Sequence, residues 1–182
     1  MIGCEWLPDL LEYDSTYPNL DYYDADVYNI FKEDFINTQP LFQGKKVCIR
    51  TNPLVNGKEQ TYFHITSKDY DYSNNRTLDI ERCKRIHWVK ALIEHYDCNK
   101  HYCHDCNGIK TWSAVQKGKQ IRIKILFEEV NYIVILEKRP TYYLIITAYY
   151  IDKPHTLKKL LNEFNKAKSA PTGTLSGTPS TL

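Results

Sequence analysis

Residues 119–150 read KQIRIKILFEEVNYIVILEKRPTYYLIITAYY, and this stretch decides the fold. Ile121, Ile123, Ile125 and Phe127 alternate with Arg122, Lys124 and Leu126. Tyr132, Val134 and Leu136 alternate with Ile133 and Ile135. Leu144, Ile146 and Ala148 alternate with Ile145, Thr147 and Tyr149. Period-two alternation rich in β-branched and aromatic residues predicts three strands. Glu129 to Asn131 and Lys138 to Thr141 are turn-like breaks, short enough to join antiparallel neighbours. The expectation is a three-stranded meander. Arg122 and Lys124 would lie along one face of its first strand, and Thr147 and Tyr149 along one face of its third.

The bulk numbers describe a folded chain. Of 182 residues, 42% are hydrophobic and 25% charged, which is a globular composition. The formal net charge of +2 does not announce a nucleic-acid binder, so any basic site must be local. Many of the fifteen tyrosines cluster between Tyr13 and Tyr28 among acids, which suits half-buried rings with wet hydroxyls. No stretch approaches the roughly 18 apolar residues of a membrane span. The first residues carry acids and no basic run, so no secretory signal is expected and the chain reads as cytoplasmic. Six cysteines are then expected as thiols or metal ligands.

Outward from the meander, residues 1–39 read as an irregular arm followed by a helix from Asp24 to Asn37, with Val27, Tyr28, Phe31 and Phe35 on one stripe. Lys46–Thr51 and Gln60–Thr66 are expected to be strands of a hairpin, turning at Asn56-Gly57. On the second, His64 shares a face with Tyr62 and Thr66. Thr77 would cap a long helix from Leu78 to about Tyr96. Arg82 and Arg85 are neighbours on its surface and Trp88 follows three residues later, either a solvated edge or an anion clamp. Pro154 opens an amphipathic helix to about Lys168. The Ser/Thr/Gly/Pro-rich tail, 169–182, is expected to be disordered. The fold class is α+β, an antiparallel sheet of hairpin plus meander packed against helices.

Residues 97–112, DCNKHYCHDCNGIKTW, form a loop unlike the rest. Cys98, His101, Cys103 and Cys106 have residue types and spacings that suit a structural zinc. Four ligands within nine residues are cramped, however, and no second ligand pair follows along the chain. The plainer reading is a loop that merely contains thiols.

Several segments together resemble a known family. They are Phe63-His64-Ile65, the helix Glu81-Arg82-Cys83-Lys84-Arg85-Ile86-His87-Trp88, Ile109 to Trp112, Arg122-Ile123, Asn131 to Leu136, and Thr147-Ala148-Tyr149 followed by a Leu-rich helix. The chain from about residue 40 to 168 resembles the phage-associated branch of the barnase–EndoU–colicin–RelE-like (BECR) nucleases. The resemblance implies a metal-independent endoribonuclease, a toxin or phage effector, in which a ribose 2′-hydroxyl attacks the adjacent phosphate. His64, Arg122, Thr147 and Tyr149 would be catalytic, and Arg82, Arg85, Trp88 and Lys124 would bind substrate. RNA, including tRNA, and an antitoxin or immunity protein would be its partners, with no cofactor in catalysis. Nothing matches barnase's glutamate base, so the base is left open between groups. The competing reading is a non-catalytic RNA- or protein-binding module, zinc-stapled through the Cys/His loop.

Overall fold

The computed structural model describes residues 4–70, 76–100, 103, 106–116, 118 and 120–169. The expected tail beyond Ser169 and the side chain of His101 lie outside the described residues. In chain order the elements are α1 (Leu20–Lys32), β1 (Leu41–Phe42), β2 (Lys45–Cys48), α2 (Gln60–Thr66), β3 (Ser67–Tyr70), β4 (Arg76–Leu78), α3 (Ile80–Cys83), α4 (Ile86–Glu94), β5 (Lys110–Val115), β6 (Ile121–Phe127), β7 (Tyr132–Lys138), β8 (Tyr143–Tyr150) and α5 (Pro154–Ser169). The architecture is α+β, with a mixed six-stranded sheet in the order β1-β2-β8-β7-β6-β5 and a separate β3–β4 ribbon. No helix among the described residues is long and apolar enough to cross a membrane.

The stretch read first behaves as its alternation requires. Strands β6, β7 and β8 are antiparallel neighbours in register, with Lys124 opposite Ile135 and Ile135 opposite Thr147. Asn131 takes a left-handed φ of 51° in the β6–β7 turn, a conformation asparagine tolerates better than most residues. The strands are more apolar than one buried face would need, and the reason is visible in three dimensions. Ile123, Ile125, Phe127, Val134, Leu136 and Ile145 face the main core against α1 and α4, where Val27, Phe31, Val89 and Leu92 meet them. Leu126 and Ile133 face the other way, against Trp112 and Leu160 of α5. The face expected to be open is therefore partly roofed by α5.

Four expectations from the sequence need correction. Gln60–Thr66 is a helix, α2, and not a strand. In a helix Thr61, Tyr62, Ile65 and Thr66 gather on one buried side, and seven residues are too few for periodicity to choose between the two forms. The tight turn at Asn56-Gly57 does form, with left-handed φ of 50° and 77° and Val55 bridged to Lys58. It leads into α2, so no hairpin joins 46–51 to 60–66; β2 instead pairs parallel with β8, Val47 opposite Tyr143. The single helix over 78–96 is two helices broken at Lys84-Arg85, and Asp79, not Thr77, caps the first by accepting from the Glu81 amide at 3.0 Å. Strand β5 begins inside the 97–112 stretch read as loop and runs on to Val115, which was not expected as a strand, paired with β6 through Trp112 opposite Lys124.

The sheet's polar side chains are held by neighbours. Glu137 is 2% exposed and ion-paired to both Arg122 and Arg139. Removing its charge leaves two guanidiniums facing a buried site. Glu137→Ala should therefore lower the unfolding free energy by about 3 kcal/mol, read from the denaturant midpoint. Burial also pushes the hydroxyls of Tyr23, Tyr62 and Tyr132 well above the ordinary tyrosine range. Their folded-state ionisation lies above the unfolded one, so stability is full below about pH 10 and falls above it. Each tyrosine that ionises only on unfolding contributes a slope of about −1.4 kcal/mol per pH unit. Denaturant titrations between pH 9 and 11 measure this slope, and Tyr132→Phe should make it shallower.

Candidate functional site

Two constellations stand out, one around Arg82 and one around Cys4. The first starts from the end of α2. The carbonyl of His64 belongs to the last turn of that helix, where carbonyls lack helical partners and the dipole is negative. Arg82 Nη1 donates to it at 3.1 Å and Thr147 Oγ1 donates to it at 2.9 Å. Arg82 comes from α3 and Thr147 from β8, beside a bulge at Ile146 that re-aims the strand. The Arg82 guanidinium also lies over the ring of Tyr149, 5.6 Å from its centroid. The main-chain carbonyl of His64 and the side chains of Arg82, Thr147 and Tyr149 thus meet where three elements join, and of these residues Arg82 and Tyr149 line the cleft beside them.

A cleft of about 370 Å³ opens beside them, lined by Lys68, Asp79, Arg82, Tyr149, Tyr150 and Lys153 among others. Its charges nearly balance. Lys68, Arg82 and Lys153 face Asp79, Glu81 and Asp152, with Lys68 3.8 Å from Asp79 and 3.9 Å from Asp152. Burial raises the Tyr149 hydroxyl above its ordinary range, opposed by Arg82 and reinforced by Glu163. Tyr149 is protonated at neutral pH, as any tyrosine would be, and burial makes it a weaker acid than a free one.

The other candidates sit elsewhere. Arg122 is engaged by Glu137, and Lys124 reaches Glu163 of α5 at 2.7 and 2.9 Å; neither lines the cleft. Arg85 is 8% exposed, bonded to Glu81 at 2.7 Å, and its guanidinium lies 4.4 Å from the centroid of Tyr150. Trp88 is buried and donates its indole N–H to Pro8 O at 2.8 Å, so it anchors the N-terminal arm and offers no stacking face.

The second constellation is four thiols. Cys4 and Cys103 Sγ stand 3.3 Å apart, and Cys98 and Cys106 Sγ stand 3.7 Å apart. All four sulfurs lie within 4.8 Å of one another, which is metal-binding distance. Three of the four ligands expected from the loop are present; the fourth thiol is Cys4, from the other end of the chain, and not a residue of the loop. Backbone hydrogen bonds fold the loop around these thiols. Ile109 N donates to Cys98 O at 2.8 Å, and Cys103 N to Asn99 O at 3.0 Å. The Gly108 amide points at Cys106 Sγ at 3.3 Å, an N–H to sulfur bond that stabilises a thiolate. Without a cation Cys98 and Cys4 resist ionisation. Burial first, and hydrogen bonding to Cys106 second, push Cys98 up to about 11, and burial pushes Cys4 further. A bound divalent cation reverses that preference. Cys48 and Cys83 stand outside the cluster.

Sequence alone gave no sign that Cys4 belongs with residues near 100. Trp6 beside it stacks on His95 and on Phe127, contacts that no local pattern records. Compared with protein-family models, with curated proteins and with solved structures, the chain matches nothing.

Gly108 makes the loop geometry possible. Its φ is 88°, and a Cβ there would stand 2.8 Å from the Asn99 Cα. Gly108→Ala should destabilise the loop by about 2 kcal/mol and bring the cluster cysteines within reach of a thiol reagent, while buried Cys83 stays slow.

Proposed function

We propose that this protein cleaves RNA at the Arg82 cleft without a metal ion at the scissile phosphate. The observation that carries the reading is the meeting of Arg82 and Thr147 on one carbonyl of His64, with Tyr149 beneath the guanidinium. The cleft offers a cation and a protonated phenol, and transfer to a phosphodiester also needs a base, for which we take the imidazole of His64. Arg82 stabilises charge on the phosphoryl oxygens. His64 is assigned the proton of the attacking 2′-hydroxyl, and Tyr149 gives a proton to the leaving oxygen. Thr147 orients the end of α2. The resemblance to the BECR nucleases likewise makes His64 and Tyr149 catalytic, though it gave the catalytic cation as Arg122, and tRNA and an antitoxin or immunity protein are the partners it suggests. Arg122 and Lys124 take no part in the chemistry here, because Glu137 and Glu163 already neutralise them.

The chain's cofactor, on this reading, is a structural zinc held by the cysteine cluster. It is a matter of folding rather than of the cleavage step, since none of the four cysteines lines the cleft.

One observation favours the alternative of a non-catalytic binding module. The cleft carries as many acids as cations, which suits a protein surface as well as a polyanion. The two readings separate in one assay. Purified protein is incubated with tRNA and total RNA in magnesium-free buffer that leaves zinc in place. Nuclease activity gives fragments ending in 2′,3′-cyclic phosphate, and Arg82→Ala and His64→Ala each lower the rate by a factor on the order of 10² or more. Intact RNA that shifts on a gel supports the binding module. RNA neither cut nor bound removes the nuclease and the RNA-binding module, leaving a protein as the module's partner.

A further inference from the structure

We infer that Cys4 is the fourth ligand of a tetrathiolate zinc centre whose work is to staple the N-terminal arm across the joint between α3 and α4. This rests on the structural-zinc reading above and adds which atom closes the site and what that closure holds.

The geometry fits one ion. Tetrahedral zinc with Zn–S near 2.3 Å places its sulfurs about 3.8 Å apart. The two separations of 3.3 and 3.7 Å lie at or a little below that value, and every pair is inside 4.8 Å. Thiolates on separate irons of a cluster would stand further apart, so a single ion is the better match. Three of the thiols are local to one loop, but Cys4 lies 99 positions before Cys103. It is 3% exposed and inside the main core. The zinc therefore closes a long loop, and its binding energy reaches the arm.

Several of the arm's other contacts reach the same joint. Trp6 stacks 4.6 Å from His95 at the end of α4 and 5.5 Å from Phe127. Pro8 O accepts from Trp88 of α4. Leu11 N then donates to Lys84 O at 2.9 Å, and Leu11 O accepts from Tyr23 of α1 at 2.7 Å. Lys84 and Arg85 are the residues at which α3 gives way to α4. Arg82, at the cleft, sits one turn before that break. The staple consequently braces the segment that positions Arg82.

The test uses the full chain. Metal content is measured on purified wild type, on Cys4→Ser and on Cys48→Ser, whose thiol lies outside the cluster. Amide exchange is followed over residues 6–11 and 84–95 in zinc-loaded and zinc-stripped wild type. The expected results are one zinc per chain in wild type and Cys48→Ser, loss of zinc from Cys4→Ser after passage over a moderate chelator, and exchange about a hundredfold faster in both segments of the stripped protein. Zinc retained by Cys4→Ser would place the fourth ligand elsewhere, with His101 the first to examine, and overturn the inference. Equal protection with and without zinc would overturn it too, and needs no variant to fold. Wild type that carries no zinc and is lighter by the four hydrogens of two disulfides would instead defeat the zinc reading itself.

Discussion

Strands β6 and β7 bury apolar side chains on both faces, and the rest of the molecule is arranged to cover them. Ile123, Ile125, Val134 and Leu136 need one helical layer; Leu126 and Ile133 need another on the opposite side. At roughly 25 cal/mol per Å² of apolar area, neither face can be left to water without losing a large part of the stability. Helices α1 and α4 supply the first layer and α5 the second. Because α5 arrives directly after β8, its position follows from the meander with only a short connection.

Covering the second face obliges its charged residues to find partners. Arg122 lies opposite Glu137 in the sheet, and Lys124 meets Glu163 on α5. Both cations look in the sequence like ligands for an anion. In the folded chain each is answered by an acid from a neighbouring element, since a half-buried cation without a counter-charge is costly. The same rule explains Arg85, sandwiched by Trp88 and Tyr150 and tied to Glu81. Arg82 has an acid too, with Asp79 Oδ2 3.8 Å from its Nε, but its guanidinium borders a cleft.

The break at Lys84-Arg85 links the two constellations. It lets α3 turn so that Arg82 meets the last carbonyls of α2, while α4 continues onto the sheet. The arm that begins at Cys4 is bonded to this break through Leu11 and to α4 through Pro8. A site for four thiols and a cleft with an arginine are thus two ends of one stretch of packing. That arrangement gives the cysteine cluster a bearing on the cleft although it touches no part of it.

The sequence by itself determined the meander, the helices α1 and α5, and the identity of three of the four clustered cysteines. Strands of seven or eight residues, long amphipathic helices and close-spaced cysteines are written in local pattern, and local pattern is what a chain shows before it folds. It also singled out His64, Arg82, Thr147 and Tyr149 without saying which neighbours they would keep. Tertiary structure decided what local pattern leaves even. Seven residues at Gln60–Thr66 satisfy a strand or a helix, and packing of Tyr62 and Ile65 against the core selects the helix. Strand β5 exists because β6 offers an edge, not because its own residues insist on extension. Whether Arg122 is free or neutralised, and whether Cys4 joins Cys98, Cys103 and Cys106, are contacts between residues far apart in the chain. Such contacts depend on the path of the backbone between them, which spacing along a sequence does not record.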